Sequence, residues 1–507
     1  HRDLHSFSTR RSSDLQLAVA LGVDSINMSL GSTAGFSKDA EAATNSVYDK
    51  VKMSGINLIV AAGNDYSSSY HSGKNNDRPL VENPENGVVA SPSTYEASLS
   101  VASINNISVK SYYLMVGDKK IPYLDASDAA MDKLYLIGED PVEYVPVGIG
   151  TEDNYKGKDL HGKVALVERG GYIGDEPLTF AQKEEIAHKN GAIAMLVYDH
   201  SPGELLKMYT KNLIPSAAIS KSMGAFMLNS PDKKLTVSPS FFADIQDEFG
   251  GRMSDFSSWG TTPDLKIKPE ITAPGGNIYS AYLRDGYKTL SGTSMASPHI
   301  AAAVSLIKAR IAKDFASAIP ESERTSRIEQ FMMSTAVPQK DENGNYYSPR
   351  KQGAGLINLA SALKSKVIIE GSSQTRPKME IGESASGTWE LSFKVKSFDS
   401  AKQSFTAEPV VMTEDIVSVD GKDYIAQSPR VLSSDEYSVS AIPDISLEPN
   451  GEQTIKFTLS LTDKGKSALE KFPNGIYVDG FIRLKPKDIE NQASWRSEER
   501  RVGKECR

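Results

Sequence analysis

The sequence predicts an α/β fold: a parallel sheet with helices on both faces, which carries an inserted domain and is followed by a β-sandwich. Short apolar runs that end in glycine alternate with helical patterns from Val23 onward, as buried parallel strands do. Between about residues 106 and 248, short strands and frequent turn signals replace this pattern. After about residue 368, strict alternation of apolar and polar residues predicts an antiparallel sandwich.

The first strands of the parallel sheet are predicted at Val23–Leu30, Ile56–Ala62 and Leu99–Ser103. A helix between the first two is expected to begin at a Ser37 cap and to end at Gly55. The reason is that apolar residues recur there at four-residue spacing, between a capping residue and a glycine stop.

The α/β pattern returns after the insert, with a strand at Lys266–Ala273 and then a long helix. The apolar stripe of that helix consists of Ile300, Val304, Ile307 and Ile311. The elements predicted in the insert are Val164–Glu168, Ala192–Tyr198, Ala217–Ser220 and the helix Phe180–Lys189. The alternating strands of the sandwich cover residues 389–395, 455–461 and 476–484.

These patterns divide the chain into six segments, of which the first and last do not resemble protein sequence. The predicted segments are an N-terminal tail (1–15), the first part of the α/β domain (16–105), the insert (106–248), the second part of the α/β domain (249–366), the sandwich (367–495) and a C-terminal tail (496–507). Both tails resemble translated sequencing-adaptor strings, so we expect them to be non-native and the gene to be interrupted at both ends. Two genuine disordered tails are the alternative.

Composition excludes several classes of function. The chain has 507 residues, 39% hydrophobic and 24% charged, which is the balance of a globular protein. The formal net charge of −8 offers no basic surface for nucleic acid. No apolar run approaches the ~20 residues that cross a bilayer. The one cysteine, Cys506, allows neither an intrachain disulfide nor a cysteine zinc site.

The sharpest chemical signal is the stretch SGTSMASPH, residues 291–299. Ser294 stands where the long helix begins, and a helix N-terminus offers free N–H groups and positive potential to a developing oxyanion. Pro298 is tolerated in the first turn of a helix. Without further context, Ser294 could equally be an ordinary helix cap. The stretch is not the hydrolase elbow G-x-S-x-G, because Ala296 takes the place of the last glycine.

Four blocks in order make this stretch resemble the subtilisin-like serine proteases. GTSMASPH resembles their serine block, and KPEITAPGGNI precedes it as in the family. MSLGS (Met28–Ser32) resembles the substrate-binding strand, and VAAGND (Val60–Asp65) resembles the oxyanion block. The insert, which contains DLHGKVALVERG, resembles a protease-associated domain, and the sandwich resembles a fibronectin-III domain. The whole is similar to lactocepin-like and complement-cleaving cell-envelope peptidases.

The resemblance implies a role for several residues. Ser294 would be the nucleophile that attacks the scissile carbonyl. The Asn64 side-chain amide and the Ser294 backbone N–H would hold the oxyanion; the alternative for Asn64 is a turn residue after a strand. Four residues would bind the substrate backbone, with Gly31 keeping the cleft open. These substrate-binding residues are Ser29, Leu30, Gly31 and Gly63.

The catalytic Asp and His of the family are not found at their expected place. Their blocks precede the MSLGS strand in the family, but residues 16–27 contain only Asp24 and no histidine. The other candidates are given structural interpretations: His161 at a strand edge of the insert, His299 packed in the helix, and Asp65 as a loop carboxylate. Nothing around His71 resembles the histidine block. The expectation is that the chain holds one residue of the triad.

No cofactor is expected from the sequence, although it leaves room for a structural calcium ion. Asp341–Asn345 has oxygen ligands at calcium-loop spacing but lacks the distal glutamate, so we interpret it as a turn. The Phe256–Gly260 run is interpreted as the return from the insert into the catalytic sheet. The expected partners are extracellular protein or peptide substrates, and the expected location is secreted or cell-envelope, with wall attachment left open. The alternative function is a non-catalytic surface-binding module with a decayed protease domain.

Overall fold

The computed structural model describes residues 14–33, 35, 42–68, 78–85, 87–127, 133–174, 176–200, 208–283, 286–371 and 374–487. These residues form two compact units. Unit 1 comprises the described parts of 1–105, 251–276 and 291–507, and unit 2 comprises those of 106–250 and 277–290.

Unit 1 contains a four-stranded parallel sheet, as the apolar runs predict. Its strands, in spatial order, are Ser25–Met28, Asn57–Ala61, Ser98–Asn105 and Ile271–Gly276. The second and third strands are buried along their whole length, because helices cover both faces of the sheet. The α/β fold with a parallel sheet is therefore confirmed.

The two faces of this sheet pack against different helices of unit 1. These helices are residues 14–21, Ala42–Met53, Thr293–Asp314 and Arg324–Ser334, with short helices at Pro349–Gln352 and Leu359–Ala362 and a 3₁₀ turn at Glu321–Glu323. Leu58 and Val60 point to the core that Tyr48 of Ala42–Met53 lines, whereas Ile59 points to the Thr293–Asp314 helix. Leu15, which the sequence boundaries assign to the N-terminal tail, lies in the first helix and is buried in the same core as Tyr48. The predicted cap Ser37 lies outside the described residues.

The C-terminal part of unit 1 consists of two antiparallel sheets. One contains Val367–Gly371, Thr388–Ser397, Glu452–Leu461 and Tyr437–Val439; the other contains Arg430–Val431, Gln403–Thr413, Ile445–Leu447 and Val478–Pro486. A ribbon of Ile416–Val419 with Lys422–Ile425 and the helix Asp463–Leu469 complete this part. The alternating residues point inward, so that Phe393, Val395, Ile455 and Phe457 share one core with Phe405 of the opposite sheet.

Unit 2 is built on an eight-stranded mixed sheet. Its strands, in spatial order, are Lys119–Pro122, Ser108–Val116, Lys234–Gln246, Val142–Pro146, Val164–Glu168, Ala194–Tyr198, Ser216–Ile219 and Leu124–Asp125. Its helices are Glu152–Tyr155, Phe180–Lys189 and Lys221–Asn229, with a 3₁₀ turn at Leu134–Ile137 and a small ribbon of Tyr172–Ile173 with Glu176–Pro177. Apolar side chains fill both faces of the sheet: Val164 and Leu166 belong to one core, and Ala165 and Val167 belong to the other.

Unit 2 also includes a hairpin that the sequence analysis assigns to the second part of the α/β domain, residues 249–366. The hairpin pairs Ile278–Tyr282 with Gly286–Leu290. It is attached to the unit through the hydroxyl of Thr289, which donates to the carbonyl oxygen of Lys110 at 2.7 Å. The amide of Asn277 also donates to the Asp247 carboxylate at 2.8 Å. Sequence reasoning missed this attachment because strand periodicity does not reveal which sheet a hairpin joins.

No helix in the described ranges is long and apolar enough to span a membrane.

Candidate active site

Ser294 is the second residue of the 22-residue helix Thr293–Asp314. This N-terminus is held against the end of the strand Ile271–Gly276, where the Gly292 N–H donates to the Gly275 carbonyl at 2.9 Å. The approach needs glycine at 275, because a Cβ there would lie 2.5 Å from the Ser103 hydroxyl and 2.9 Å from the Ala296 Cβ. The serine is therefore fixed at the carboxyl edge of the parallel sheet, the edge where open α/β sheets bind ligands.

Asn64 follows the strand Asn57–Ala61 and lies beside the same helix N-terminus. Its Oδ1 accepts both the backbone N–H and the hydroxyl of Thr293, each at 2.9 Å. The Thr293 hydroxyl in turn accepts the Gly63 N–H at 3.1 Å, and Thr293 is fully buried. Since two donors occupy Oδ1, the amide nitrogen Nδ2 is directed to the other side, where it can donate to a ligand.

The Asn64 amide nitrogen and the Ser294 backbone nitrogen lie near one position beside Gly292. A Cβ on Gly292 would lie 3.4 Å from Asn64 Nδ2 and 3.6 Å from the Ser294 backbone nitrogen. Glycine leaves this space open. An oxygen would have to lie closer to both nitrogens than this Cβ to accept hydrogen bonds from them, and the N-terminus of the helix would add positive potential. The structure thus places Asn64 next to the N-terminus of the helix that carries Ser294.

The segment Phe256–Trp259 supports the oxyanion loop, which we define as Gly63–Tyr66. Backbone N–H groups of Tyr66 and Trp259 donate to the carbonyls of Phe256 and Tyr66 at 3.0 and 2.9 Å. The Ser258 N–H donates to the Gly63 carbonyl, and the Ser258 hydroxyl accepts the Asp65 N–H, both at 3.0 Å. Sequence reasoning interpreted this run only as a return into the sheet, and its supporting role was missed. The available signal was the pair of small polar residues beside a tryptophan, all of which are buried.

Lys351 lies beside the oxyanion loop, and its pKa is strongly shifted. Its ammonium lies 5.1 Å from the ring centroid of Tyr66 and 5.3 Å from that of Trp259. Burial lowers the pKa of Lys351 to about 8, and the charge of Asp255 opposes this effect. The two rings stabilise the charged form through cation–π attraction. The oxyanion loop therefore packs against the Trp259 ring and the Lys351 ammonium.

The predicted substrate-binding residues Ser29, Leu30 and Gly31 lie at the carboxyl end of the strand Ser25–Met28. The Ser29 hydroxyl donates to the Ser294 carbonyl at 2.7 Å, and the Ser294 hydroxyl donates to the Ser29 carbonyl at 3.4 Å. Ser29 and Gly31 are exposed, and Leu30 is half-buried. The structure thus brings this segment next to the serine.

Ala90 lies between the two predicted binding segments and was not identified from the sequence. A Cβ on Gly31 would lie 2.7 Å from the Ala90 Cβ, and one on Gly63 would lie 3.2 Å from it. A glycine is therefore needed at position 31 because the backbone there passes close to the buried Ala90. The sequence analysis explained Gly31 only by an open cleft and did not predict this contact. No local pattern marks Ala90, because its role depends on two segments that are distant in sequence.

The interpretations of two histidines are wrong. His299 is exposed rather than packed, because the stripe that begins at Ile300 faces the core and turns His299 outward; its Nδ1 lies 2.9 Å from the Met295 carbonyl oxygen. His161 lies in an exposed turn of unit 2 beside Asp159, not at a strand edge, because the strand begins only at Val164. His71 lies outside the described residues.

The two aspartates considered from the sequence, Asp24 and Asp65, both make structural contacts. Asp24 pairs with Lys308 at 2.6 Å and precedes the first strand, at the sheet edge opposite Ser29. The Asp65 backbone is bonded to Ser258 as described above. Within the described ranges, the hydrogen bond of the Ser294 hydroxyl is to Ser29, and none joins it to a histidine or a carboxylate.

The described part of the chain contains no group of three or more His, Cys, Asp or Glu residues placed to hold a metal ion. The stretch Asp341–Asn345 forms a turn. Its first carboxylate accepts the backbone N–H groups of Asn343 and Asn345 at 2.9 and 2.8 Å. The Asp341 carboxylate therefore stabilises the turn through these two hydrogen bonds.

The chain is similar to several named proteases along most of its length. It is 30% identical over 476 residues to C5a peptidase of Streptococcus pyogenes, which covers 92% of this chain and 38% of that protein. It is 28% identical to the PII-type proteinase of Lacticaseibacillus paracasei, covering 94% of this chain and 26% of that protein. It is 29% identical to the minor extracellular protease Vpr of Bacillus subtilis, and the similarity covers 78% of this chain and 45% of that protein. The chain therefore spans less than half the length of these relatives.

The sequence profile of the Subtilase family matches residues 8–355, which is more than half of the chain. That range contains the parallel sheet, the oxyanion loop and the helix that begins beside Gly292. The profile match, the extent of the similarity to C5a peptidase and the ordered blocks at the carboxyl edge of the sheet agree. This chain belongs to the subtilase family.

Proposed function

We propose that this protein is a serine endopeptidase that cleaves extracellular proteins through an acyl-enzyme on Ser294. The observation that supports the proposal is that Asn64 Nδ2 and the Ser294 backbone nitrogen both lie beside the open space at Gly292. The Ser294 oxygen attacks the scissile carbonyl, whose oxygen becomes negatively charged and enters that space. The base that takes the serine proton returns it to the amine, which then leaves, and water hydrolyses the ester formed with the serine.

The substrate backbone is proposed to pair with Ser29–Gly31 as an added strand, and Gly63 borders the same space. The exposure of Ser29 and Gly31 next to the serine supports this role. Main-chain pairing would make recognition depend on an extended substrate rather than on one side chain. The names of the relatives, among them an extracellular protease, support protein substrates and a secreted or cell-envelope location. No cofactor takes part in this chemistry.

The proposed reaction also needs a base, which the sequence does not provide at the family's usual place. A serine hydroxyl is a weak nucleophile without a neighbouring base. The chain as given should therefore be inactive toward peptide substrates. Turnover by the whole chain that Ser294→Ala abolishes would contradict this expectation and would require a substitute base in the chain.

The roles of Ser294 and Asn64 can be tested in a chimera that restores the Asp and His blocks of the family. Ser294→Ala should remove nearly all activity. Asn64→Ala should lower kcat by roughly two to three orders of magnitude with little change in KM, since this donor acts on charge that exists only in the transition state. Asp65→Asn is the matched control and should change kcat less than threefold, because the site uses only the backbone of Asp65. An Asn64→Ala effect confined to KM would refute the oxyanion role.

A chimera that stays inactive with both blocks restored would instead favour the alternative of a non-catalytic surface-binding module. The pairing of Asn64 with Thr293 argues for the enzyme, because a decayed site has no reason to keep both the nucleophile and the orientation of the amide.

We further propose that the segment 106–248 is a protease-associated domain that steers substrate choice, and that 367–495 is a fibronectin-III-like sandwich. The two separate cores of unit 2 and the facing antiparallel sheets of unit 1 support these assignments. Replacing 106–248 by a Gly/Ser linker in the active chimera should preserve cleavage of small peptides and change cleavage of proteins much more. Equal loss on both substrates in a chimera that still melts cooperatively would show that the insert helps to build the active site.

A further inference from the structure

Three buried aromatic rings of unit 1, which we call the aromatic cage, surround the ammonium of Lys351: Tyr66, Trp259 and Tyr347. The ammonium lies 5.1 Å from the ring centroid of Tyr66, 5.3 Å from that of Trp259 and 5.2 Å from that of Tyr347. Lys351 is only 2% exposed, and all three rings are buried. Cation–π attraction is strongest in such a place, where the cation has little access to water.

The buried charge of Lys351 lowers the stability of the fold. Burial lowers the pKa of Lys351 to about 8, and the charge of Asp255 opposes this effect. Because this folded-state pKa is below the ordinary value of 10.5, the cost of burying the charge is complete below about pH 8. The cost disappears as the pH rises toward 10.5. A methionine would fill similar space without this cost, so packing alone does not explain a lysine here.

Four described groups that are charged or titratable face or adjoin Lys351: Asp255, Tyr66, Tyr347 and Arg350. Asp255 is exposed and supplies the opposing negative charge. Burial raises the pKa of Tyr347. Burial opposes the charge of Arg350, but two carboxylates of the sandwich outweigh it and raise the pKa of Arg350. Loss of the Lys351 proton above about pH 8 therefore changes the charge inside the cage while Tyr347 stays neutral and Arg350 stays charged.

Tyr66 connects the aromatic cage to the oxyanion loop, and its backbone conformation is unusual. Its φ is +50°, in the left-handed region that residues with a Cβ rarely adopt. Such a conformation persists only where the surrounding structure holds it. The Tyr66 N–H donates to the Phe256 carbonyl at 3.0 Å, and the Tyr66 carbonyl accepts the Trp259 N–H at 2.9 Å. These bonds hold the backbone of Tyr66, and the cage holds its ring.

The left-handed turn at Tyr66 lies two residues after Asn64, the proposed oxyanion donor. The residue between them, Asp65, donates its N–H to the Ser258 hydroxyl at 3.0 Å. Asn64 itself is held by the Thr293 N–H, which donates to Oδ1 at 2.9 Å. A change of Tyr66 toward an ordinary φ would redirect this short segment and strain both bonds. The conformation of Tyr66 and the placement of the Asn64 amide are therefore coupled.

We infer that Lys351 is a positioning residue for the oxyanion loop: its ammonium attracts the Tyr66 ring, holds Tyr66 in the left-handed conformation and so keeps Asn64 in place. Lys351 is buried and acts only through the loop, so it is not a catalytic residue. The purpose of this placement rests on the proposed function, whereas the effect of Lys351 on the loop is a property of the chain itself. Loss of the charge should loosen the loop without unfolding unit 1.

The effect of Lys351 on the loop can be measured on the whole chain, without turnover, by hydrogen–deuterium exchange at Gly63–Tyr66. Rates are corrected for the intrinsic effect of pH on exchange. In the wild type, exchange of the loop should be about tenfold faster at pH 9 than at pH 6.5, the factor that one buried cation–π contact corresponds to. Lys351→Met should show the fast exchange at both pH values. Its melting temperature at pH 6.5 should equal or exceed that of the wild type, because the buried charge is gone.

Lys268→Met is the matched control, because Lys268 is equally buried in unit 1 but donates to the carbonyls of Tyr95 and Ser98 at 3.1 and 2.7 Å. It should lower the melting temperature, since it leaves these buried acceptors without their donor. Exchange of the oxyanion loop should change less than about twofold, because Lys268 does not act through Tyr66. Loop exchange that follows the melting temperature in both variants would overturn the inference, since the loop would then report only global stability.

A double variant tests whether the effect passes through the Tyr66 ring. Tyr66→Leu removes the ring, so exchange of the loop should already be fast, and adding Lys351→Met should change it less than about twofold. Two effects that simply multiply would show that Lys351 acts independently of Tyr66 and would overturn the inference. Wild-type exchange that is equal at pH 6.5 and pH 9 after correction would overturn it as well.

The outcome can be separated from that of the proposed function. In the active chimera, Lys351→Met should lower kcat about tenfold at pH 7 and leave KM almost unchanged, because it disturbs only the oxyanion donor. If loop exchange responds to Lys351 but the chimera hydrolyses nothing, the proposed function fails and the effect on the loop remains. If the chimera hydrolyses peptides and Lys351→Met leaves its kcat unchanged, the positioning role fails and the proposed function stands.

Discussion

Arg376 is expected to be among the side chains that contribute most to the stability of unit 1. Its guanidinium donates to Glu329 at 2.8 and 3.2 Å and to Glu270 at 3.1 Å, and all three side chains are almost fully buried. It also donates to the backbone carbonyls of Glu96 and Ala97 at 2.9 and 3.3 Å. The arginine thereby joins the segment that leads into the sandwich to the catalytic sheet and to the helix Arg324–Ser334.

Replacing Arg376 with methionine keeps most of the side-chain volume and removes the charge. Breaking a buried ion pair by removing one partner costs about 3–5 kcal/mol. Here Lys268 and Lys378 lie 2.8 and 3.1 Å from Glu270, and Lys52 lies 3.1 Å from Glu329, so each carboxylate keeps at least one cation. We therefore expect Arg376→Met to lower the free energy of unfolding of unit 1 by about 3 kcal/mol at pH 7.

The loss should depend on pH in a defined direction. Burial opposes ionisation of Glu270 and Glu329, but the neighbouring cations outweigh it and lower the pKa of each from 4.5 to about 2. Because the folded-state pKa is below the unfolded value, the stability from each carboxylate is complete above about pH 4.5. It is lost as the pH falls toward 2, and amounts to about 3 kcal/mol for each group. Without Arg376 both pKa values rise, so the difference between wild type and variant should narrow below pH 4.5.

The measurement is urea unfolding followed by tryptophan fluorescence at pH 7 and at pH 3. Of the three tryptophans, Trp259 and Trp389 belong to the described part of unit 1, Trp495 lies outside the described residues, and the ranges of unit 2 contain none, so the change in signal on unfolding reports on unit 1. The control is Lys402→Met, which removes an ion pair of 2.8 Å whose side chains are 57% and 71% exposed. That change should cost less than about 1 kcal/mol. An Arg376→Met loss as small as the control, or equal at pH 7 and pH 3, would refute the electrostatic reasoning.

Three further predictions concern the active site. Gly292→Ala should abolish hydrolysis in the active chimera by filling the space between the two nitrogens, and it should also lower the melting temperature, because Gly292 has a φ of +156°, which residues with a Cβ rarely adopt. Gly31→Ala should destabilise unit 1 by about 1–3 kcal/mol, because the new Cβ would lie 2.7 Å from the Ala90 Cβ. Adding Ala90→Gly should recover most of that loss in urea unfolding. A double variant no more stable than Gly31→Ala would contradict this contact. Thr293→Val should cost about 1–3 kcal/mol in the same assay, because it removes the hydroxyl that accepts the Gly63 N–H, whereas Thr293→Ser should be close to wild type.

The sequence by itself identified the main elements of the fold and the chemical blocks of the site. The parallel strands could be located because residues such as Leu58 and Ile59 are apolar on both faces, a pattern that few other structures produce. Alternation through Phe393 and Val395 located a sandwich strand for a similar reason. These signals are local: each depends on the period of a single segment, which the sequence displays directly.

The sequence interpretations failed where the answer depends on which residue faces another. His299 was expected to pack and is exposed, since a shift of one residue around a helix turns a side chain by about 100°. The hairpin Ile278–Leu290 was assigned to the second part of the α/β domain, yet it joins unit 2 through Thr289. Helix rotation and the partner of a hairpin are set by packing energy, to which many distant residues contribute.

What the sequence determined about the site is the pair of residues proposed to react, Asn64 and Ser294, because their residue types and motif order indicate the chemistry. Only the tertiary structure decided how those groups are held. Thr293 orients the Asn64 amide, Ala90 approaches the substrate-binding segment, and Ser258 supports the oxyanion loop. Each of these contacts joins segments that are far apart in the chain. Their existence follows from the fold closing around one edge of the parallel sheet, and no local pattern encodes it.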